Sequence, residues 1–292
     1  MANFRSTRRR SRNREQGLGK LFPNPCSLRT DHCSLSILNY AMSSKPLHLW
    51  YAYPDDLLDP EVAQACAALL TPEEREKWQR YRFEQRRRES LATRALVRSA
   101  LSCYRAVPPE AWRFKENEHG KPFLNPDCGL QFNLSNSAGM VVCLVAESTE
   151  VGVDVESHAR AARIMNVAER VFSADEKAQL QELEDAAKLD RALMLWTLKE
   201  AYIKARGIGL SLPLGKISFL FDRAGSICLE IDPNVDANPG RWRFCSLDLG
   251  SHRVGAVVEQ ETVEEMNMWE ARPLLAPPIY LGSFNGHWFP RR

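Results

Sequence analysis

The 292-residue sequence contains no apolar run approaching the roughly 18 residues a membrane span requires, and its N-terminus has no apolar core of a secretory signal. Neither a membrane-spanning nor a secreted chain is expected, and a cytoplasmic one is. C-x-x-C pairs are missing: the eight cysteines (26, 33, 66, 103, 128, 143, 228 and 245) stand singly, several inside apolar runs such as Val141-Val142-Cys143-Leu144. This pattern predicts reduced, mostly buried thiols rather than a disulfide framework or a zinc site. The patterns G-x-x-x-x-G-K-[ST] and G-x-G-x-x-G are absent as well, which argues against the common nucleotide-binding folds.

A large excess of one charge is also missing, since 39 Lys+Arg stand against 37 Asp+Glu, a formal +2. The balance is uneven. Residues 1–42 carry eight basic and two acidic side chains, leaving the other 250 residues at −4. Residues 1–44 show no periodicity and read as a disordered basic tail, with organelle targeting or nucleic-acid binding as the functional alternatives. A hydrophobic content of 44% with 26% charged residues excludes a collagenous or wholly disordered chain.

Between the termini the pattern is mixed. Leu47 to Tyr53 alternates as a strand does, and Thr71-Pro72-Glu73-Glu74 reads as an N-cap, a first-turn proline and a capping-box glutamate. A helix follows to about Phe83, then a second with Leu91, Ala95, Leu96 and Leu101 on one face. Strand signals cluster at 112–115, 130–134, 140–146 and 151–155. Helical periodicity returns over 160–206, and strands resume at 217–221, 227–231, 242–247 and 253–258. Helices then strands, twice over, predict an α+β fold of two lobes, 45–158 and 159–262, followed by an irregular extension over 263–292 that is rich in proline.

Four segments could carry chemistry. In Gly152-Val153-Asp154-Val155-Glu156 the period-two alternation puts Asp154 and Glu156 on one face and the valines in the core. Such a pair suits Mg²⁺, although two acidic residues at a strand end are more often simply solvated. On the helix around Trp196 to Lys204, Glu200 falls on the apolar stripe and Lys204 one turn further along the same side; the alternative to a site is an ordinary i,i+4 ion pair. A basic stretch, Lys77, Arg80, Arg82, Arg86, Arg87, Arg88, Arg94 and Arg98 against Glu84 and Glu89, suits a polyphosphate or forms a solvated face. Finally, Phe132-Asn133-Leu134-Ser135-Asn136-Ser137 runs into a polar turn whose side chains either contact phosphate or cap their own backbone.

Taken in order with Gly120-Lys121-Pro122 and with Gly207-Ile208-Gly209-Leu210-Ser211-Leu212-Pro213-Leu214, these segments resemble the 4′-phosphopantetheinyl transferases of the larger, surfactin-synthetase-activating type over about residues 47–260. The resemblance implies a pseudo-symmetric pair of α+β lobes with the active site in the cleft. It implies an enzyme of the holo-[acyl-carrier-protein] synthase kind, moving the phosphopantetheine arm of coenzyme A onto a serine of an apo acyl, peptidyl or aryl carrier protein. Asp154, Glu156 and Glu200 would hold Mg²⁺, with Glu200 or a metal-bound water as base and Lys204 neutralising charge on the pyrophosphate. Lys199 would help hold the phosphates, Lys121, Pro122 and Ser135 would line the nucleotide pocket, and Arg86 or Arg88 would meet a coenzyme phosphate. Asn136 stands where the family commonly has His, so a neutral hydrogen bond would replace a charge there. A monomer that binds neither nucleic acid nor membrane is expected. The competing readings are a carrier-binding homologue without turnover, another Mg²⁺-dependent phosphotransferase, and a nucleic-acid binder built on the basic tail.

Overall fold

The computed structural model describes residues 47–209, 212–221, 227–260, 263, 265–272, 277–284 and 288–289. The expected tail and part of the segment following Gly209 lie outside them. Strands alternate their side chains between two faces, and here both faces of the central strands are apolar, which forces a layer on each side. In β1 (Leu47–Ala52), Trp50 and Ala52 enter one core while Leu47, Leu49 and Tyr51 enter another.

The first of those cores lies under α1 (Pro60–Ala68), α2 (Pro72–Gln79) and α3 (Glu84–Ser102). α2 starts as its sequence dictates: Thr71 Oγ1 accepts from Glu74 N at 3.2 Å, and Thr71 N donates back to the Glu74 carboxylate at 3.0 Å. Next come a ribbon of β2 (Phe114–Glu116) and β3 (Pro122–Leu124) and a hairpin of β4 (Leu130–Ser137) and β5 (Met140–Glu147). After β6 (Val151–Ser157) come α4 (Ala161–Met165), α5 (Ala168–Val171), α6 (Ala174–Gln181) and the 22-residue α7 (Asp185–Arg206). The pattern then recurs: a ribbon of β7 (Ile217–Phe221) and β8 (Ile227–Ile231), and a hairpin of β9 (Trp242–Asp248) and β10 (His252–Glu259).

Long helix, ribbon and hairpin thus occur twice, and the sheets repeat as well. β1 pairs antiparallel with β5, which pairs with β4; β6 pairs antiparallel with β10, which pairs with β9. The two sheets share an apolar layer: Leu47, Leu49, Val142 and Leu144 on one side, Val153, Val155, Val254 and Ala256 on the other. α7 covers the far face of the second sheet through a core that includes Leu198, Tyr202, Phe244 and Val257. This is the α+β, two-lobed architecture expected from the order of elements, with the pseudo-symmetry that the resemblance implies.

Two details differ from the sequence reading. β6 lies before residue 158 but belongs to the second sheet, because its backbone pairs with β10 from Val151↔Val258 to Ser157↔His252. The C-terminal stretch expected to be irregular contains β11 (Met266–Glu270), parallel to β1, and β12 (Ile279–Phe284), antiparallel to β11. Met266, Asn267 and Trp269 are buried there, and Trp269 stacks on Trp50 with ring centroids 5.3 Å apart. Phe289 then bridges to Phe244 of β9 by two backbone hydrogen bonds.

Candidate active site in the cleft between the lobes

The cleft forms where the edge strand β4 of the first sheet meets the edge strand β6 of the second. On β4, the period-two set Asn133, Ser135 and Ser137 faces β6, while Phe132, Leu134 and Asn136 face the α3 side. Asn133 Oδ1 accepts from Val153 N at 3.0 Å, Ser135 Oγ donates to Asp154 Oδ1 at 2.8 Å, and Ser137 Oγ donates to Glu156 Oε2 at 2.8 Å. Three polar rungs thus join the strands, and both carboxylates end up about 5% exposed.

α7 closes the other side. Gly152 permits the approach: a Cβ there would lie 2.0 Å from Ala201 O and 2.7 Å from Ala205 N. Gly255 on β10 does the same against Thr197, with a Cβ 2.5 Å from its carbonyl. With helix and strand in this contact, Lys204 Nζ reaches Asp154 Oδ1 at 2.7 Å and Ser135 Oγ at 2.8 Å. Arg160 pairs with Glu156 Oε1. Glu200, half-buried on the same helix, has its carboxyl pushed up to about 7, first by burial and then by the negative charge of Asp154, with Lys204 opposing and Glu156 adding.

Such a cluster can bind a cation. Asp154 Oδ2 is buried with no hydrogen-bond partner, which in a folded protein calls for a further ligand. Carboxylate oxygens of the kind Asp154, Glu156 and Glu200 offer are the hard donors that suit a divalent, oxygen-seeking ion such as Mg²⁺. Among the described residues no three acidic, His or Cys side chains already stand close enough together to hold an ion, and Lys204 and Arg160 meanwhile neutralise Asp154 and Glu156. The chemistry of the donor set fits the ion, and the two cations hold the carboxylates in its place.

The remaining expected residues are distributed differently. Lys199 is not in the cleft at all. It is wholly buried, paired with Glu176 at 2.7 Å, and donates to the carbonyls of Leu214 and Ile217. Position 199 is one residue, about 100° of helix, from Glu200, and that rotation turns it into the core of the second lobe. Glu176 is itself fixed as the N3 residue of a capping box with Ser173, and it accepts from Phe219 N at 2.9 Å. The expectation that Lys199 holds phosphate is therefore corrected: it is a buried strut.

Lys121 donates to Ala205 O at 2.7 Å and pairs with Glu150, so it spans the lobes at the other end of the cleft. There it lines a cavity of about 380 Å³ with Asn117, Gln131, Arg206, Gly207 and Arg241. Gly207 caps α7 in the left-handed region (φ +61°), and its carbonyl accepts from Asn117 Nδ2 at 2.8 Å. The Gly-Lys-Pro and Gly-Ile-Gly segments thus dock on each other. Pro122 opens β3 opposite Glu116. Ser135 is engaged by Asp154 and Lys204. Asn136 is exposed at the rim and donates to Glu89 at 3.4 Å.

The basic stretch is largely paired within itself. Arg98 is buried on Glu74 at 2.5 Å, with Arg94 3.8 Å from the same carboxylate; Arg80 pairs with Glu76 and Arg87 with Glu84. Arg86 donates to Glu89 at 3.1 Å, and Arg88, 4.0 Å from Glu84, keeps a buried Nε without a partner. From sequence, Asn133 and Ser137 were read only as part of the 132–137 polar turn, Glu89 only as an acid within the basic stretch, and Arg160 not at all. The alternation Asn133-x-Ser135-x-Ser137 was a readable signal for two of them.

Comparison with known proteins gives the family. The family description "4′-phosphopantetheinyl transferase superfamily" matches residues 150–257, and "4′-phosphopantetheinyl transferase, N-terminal" matches 59–149. The 4′-phosphopantetheinyl transferase HetI of Nostoc sp. is 34% identical over 176 residues, 59% of this chain and 73% of that protein. The 4′-phosphopantetheinyl transferase Sfp of Bacillus subtilis is 30% identical over 185 residues, 63% of this chain and 81% of that one. A crystal structure of a holo-(acyl-carrier-protein) synthase from Bacillus anthracis in complex with CoA is 19% identical, covering 39% of this chain and 96% of that one, with a TM-score of 0.33. The two matched segments meet at residues 149 and 150, in the turn between β5 and β6, and the chain belongs to the 4′-phosphopantetheinyl transferase superfamily.

Proposed function

We propose that the chain transfers the phosphopantetheine arm of coenzyme A to a serine of an apo carrier protein, releasing adenosine 3′,5′-bisphosphate. The observation that supports it best is the meeting of Asp154, Glu156, Glu200 and Lys204 from two elements in one cleft, with Asp154 Oδ2 buried and unpartnered.

The serine oxygen attacks the β-phosphorus of coenzyme A, and the bond from that phosphorus to the bridging oxygen breaks. The bridging oxygen leaves on the adenosine side with the electron pair. Asp154, Glu156 and Glu200 would hold Mg²⁺, which when bound supplies positive charge to the pyrophosphate oxygens. Lys204, on the same carboxylate, adds a cation toward the leaving group. In the metal-free cleft the Glu200 carboxyl sits at about 7, and an oxygen of it that is not on the ion would accept the serine proton. Most of the acceleration is positioning and charge neutralisation.

This reading makes the chain a holo-[acyl-carrier-protein] synthase type enzyme with acyl, peptidyl or aryl carrier domains as acceptors. It also makes it a monomer, since one chain supplies both walls of the cleft. Among the described residues no helix is long and apolar enough to cross a membrane. The test is release of adenosine 3′,5′-bisphosphate from coenzyme A with Mg²⁺ and an apo carrier. Release that depends on the carrier serine is expected; coenzyme A left intact with carriers of every class would overturn the proposal.

A further inference from the structure

His252 is a buried titratable side chain, 5% exposed, that the reaction above does not use. It opens β10 in period-two series with Val254 and Ala256, so it ends the apolar layer shared by the two sheets. Its Nε2 lies 2.8 Å from the carbonyl oxygen of Ala138, in the β4–β5 turn of the other lobe, and its Nδ1 lies 2.9 Å from Ser251 Oγ. A carbonyl only accepts, so Nε2 carries the proton and Nδ1 accepts from the serine hydroxyl. Burial lowers the pKa of the imidazole, with the Ala138 carbonyl opposing, and keeps the ring neutral.

The carbonyl it holds belongs to the residue next to Ser137. Ser137 Oγ accepts from Ser157 N at 3.2 Å and donates to Glu156 Oε2 at 2.8 Å, while Arg160 pairs with the other oxygen of that carboxylate. The register of the β4–β5 hairpin ends at Ser137↔Met140, and the turn beyond it is Ala138-Gly139, with Gly139 in the left-handed region (φ +88°). His252 reaches this turn from β10, on the far side of β6, where it stands opposite Ser157. The serine that carries Glu156 is therefore held through its neighbour by the second lobe.

We infer that His252 is a positioning residue: by fixing the Ala138 carbonyl it sets Ser137 against Glu156, and so raises the affinity of the carboxylate cluster for a divalent cation. The inference rests on the Mg²⁺ site proposed above and adds a residue that touches neither the ion nor the coenzyme. A merely structural histidine would lower Tm when replaced and leave the Mg²⁺ requirement unchanged.

The experiment uses the full chain with Mg²⁺ alone, at pH 8, and reads the concentration that gives half of the metal-induced rise in Tm. Wild type is compared with His252→Asn and His252→Gln. The amide nitrogen of Gln stands where Nε2 does and that of Asn only where Nδ1 does, so Gln reaches Ala138 and Asn does not. Half-saturation should rise about tenfold in His252→Asn and return to within about threefold of wild type in His252→Gln, the lower end of what residues behind metal ligands contribute. In a Ser137→Ala background, His252→Asn should add almost nothing, because its route to Glu156 is already cut. If His252→Asn does not fold, His252→Leu makes the same comparison with Gln. Unchanged half-saturation in the variant that loses the bond, equal rises in it and in His252→Gln, or full additivity with Ser137→Ala would overturn the inference. A wild-type Tm that does not respond to Mg²⁺ at all would instead overturn the metal site on which the proposed function stands.

Discussion

Lys204 Nζ lies 2.7 Å from Asp154 Oδ1 and 2.8 Å from Ser135 Oγ, so one cation on α7 ties the second lobe's edge strand to the first lobe's. The contact serves both architecture and chemistry. It closes the cleft, and it sets a positive charge against the carboxylate proposed to hold Mg²⁺.

Replacing Asp154 with Asn, or Glu200 with Gln, should lower the transfer rate by about a hundredfold or more, the scale of losing a key electrostatic group. Circular dichroism should remain native for both variants. Near-normal turnover in either would defeat the site assignment.

Glu200 also makes stability depend on pH and metal. Its folded carboxyl is raised from 4.5 to about 7, so the folded state holds the proton more tightly than the unfolded chain. This contribution is fully present below about pH 4.5 and is lost as pH rises through about 7, at most about 3 kcal/mol before solvent screening is discounted. A divalent cation should offset the loss. Adding Mg²⁺ should therefore raise Tm at pH 8 and leave it almost unchanged at pH 5; an equal effect at both would contradict the account.

Lys199→Met should cost about 3–5 kcal/mol, because it strands Glu176 as an unpaired buried charge and frees two carbonyls. The KM for coenzyme A of the folded fraction should match wild type. A large rise in KM without loss of Tm would return Lys199 to phosphate binding.

Gly152→Ala should drive β6 from α7, since its Cβ meets backbone atoms that cannot step aside. A stability loss of about 3 kcal/mol is expected together with lost transfer, because Asp154 is two residues further along the same strand. Denaturant melts and single-turnover rates should fall together.

Much of this was legible in the sequence because local rules governed it. The Thr71 capping box, the burial of Leu91, Ala95, Leu96 and Leu101 on α3, and the alternation of Val153 and Val155 against Asp154 and Glu156 follow from period and propensity alone. Strands β11 and β12 were missed since proline-rich flanks hid them and β11, on which β12 pairs, finds its own partner β1 more than 200 residues away. Lys199 was misplaced for a finer reason: a family-like motif fixes helix register but says nothing about which neighbours fill the core. Glu89, one of two acids named in the basic run, pairs with Arg86 at a readable i,i+3 spacing, whereas its contact with Asn136 on β4 is tertiary and left no local signal.

The central claim is tested most directly by the intact mass of an apo carrier protein after incubation with the full chain, coenzyme A and Mg²⁺. The account predicts a gain of one phosphopantetheine arm, located on a serine and lost when Asp154 is replaced by Asn. An unchanged carrier mass with acyl, peptidyl and aryl carriers alike, from a folded wild-type enzyme, would contradict it.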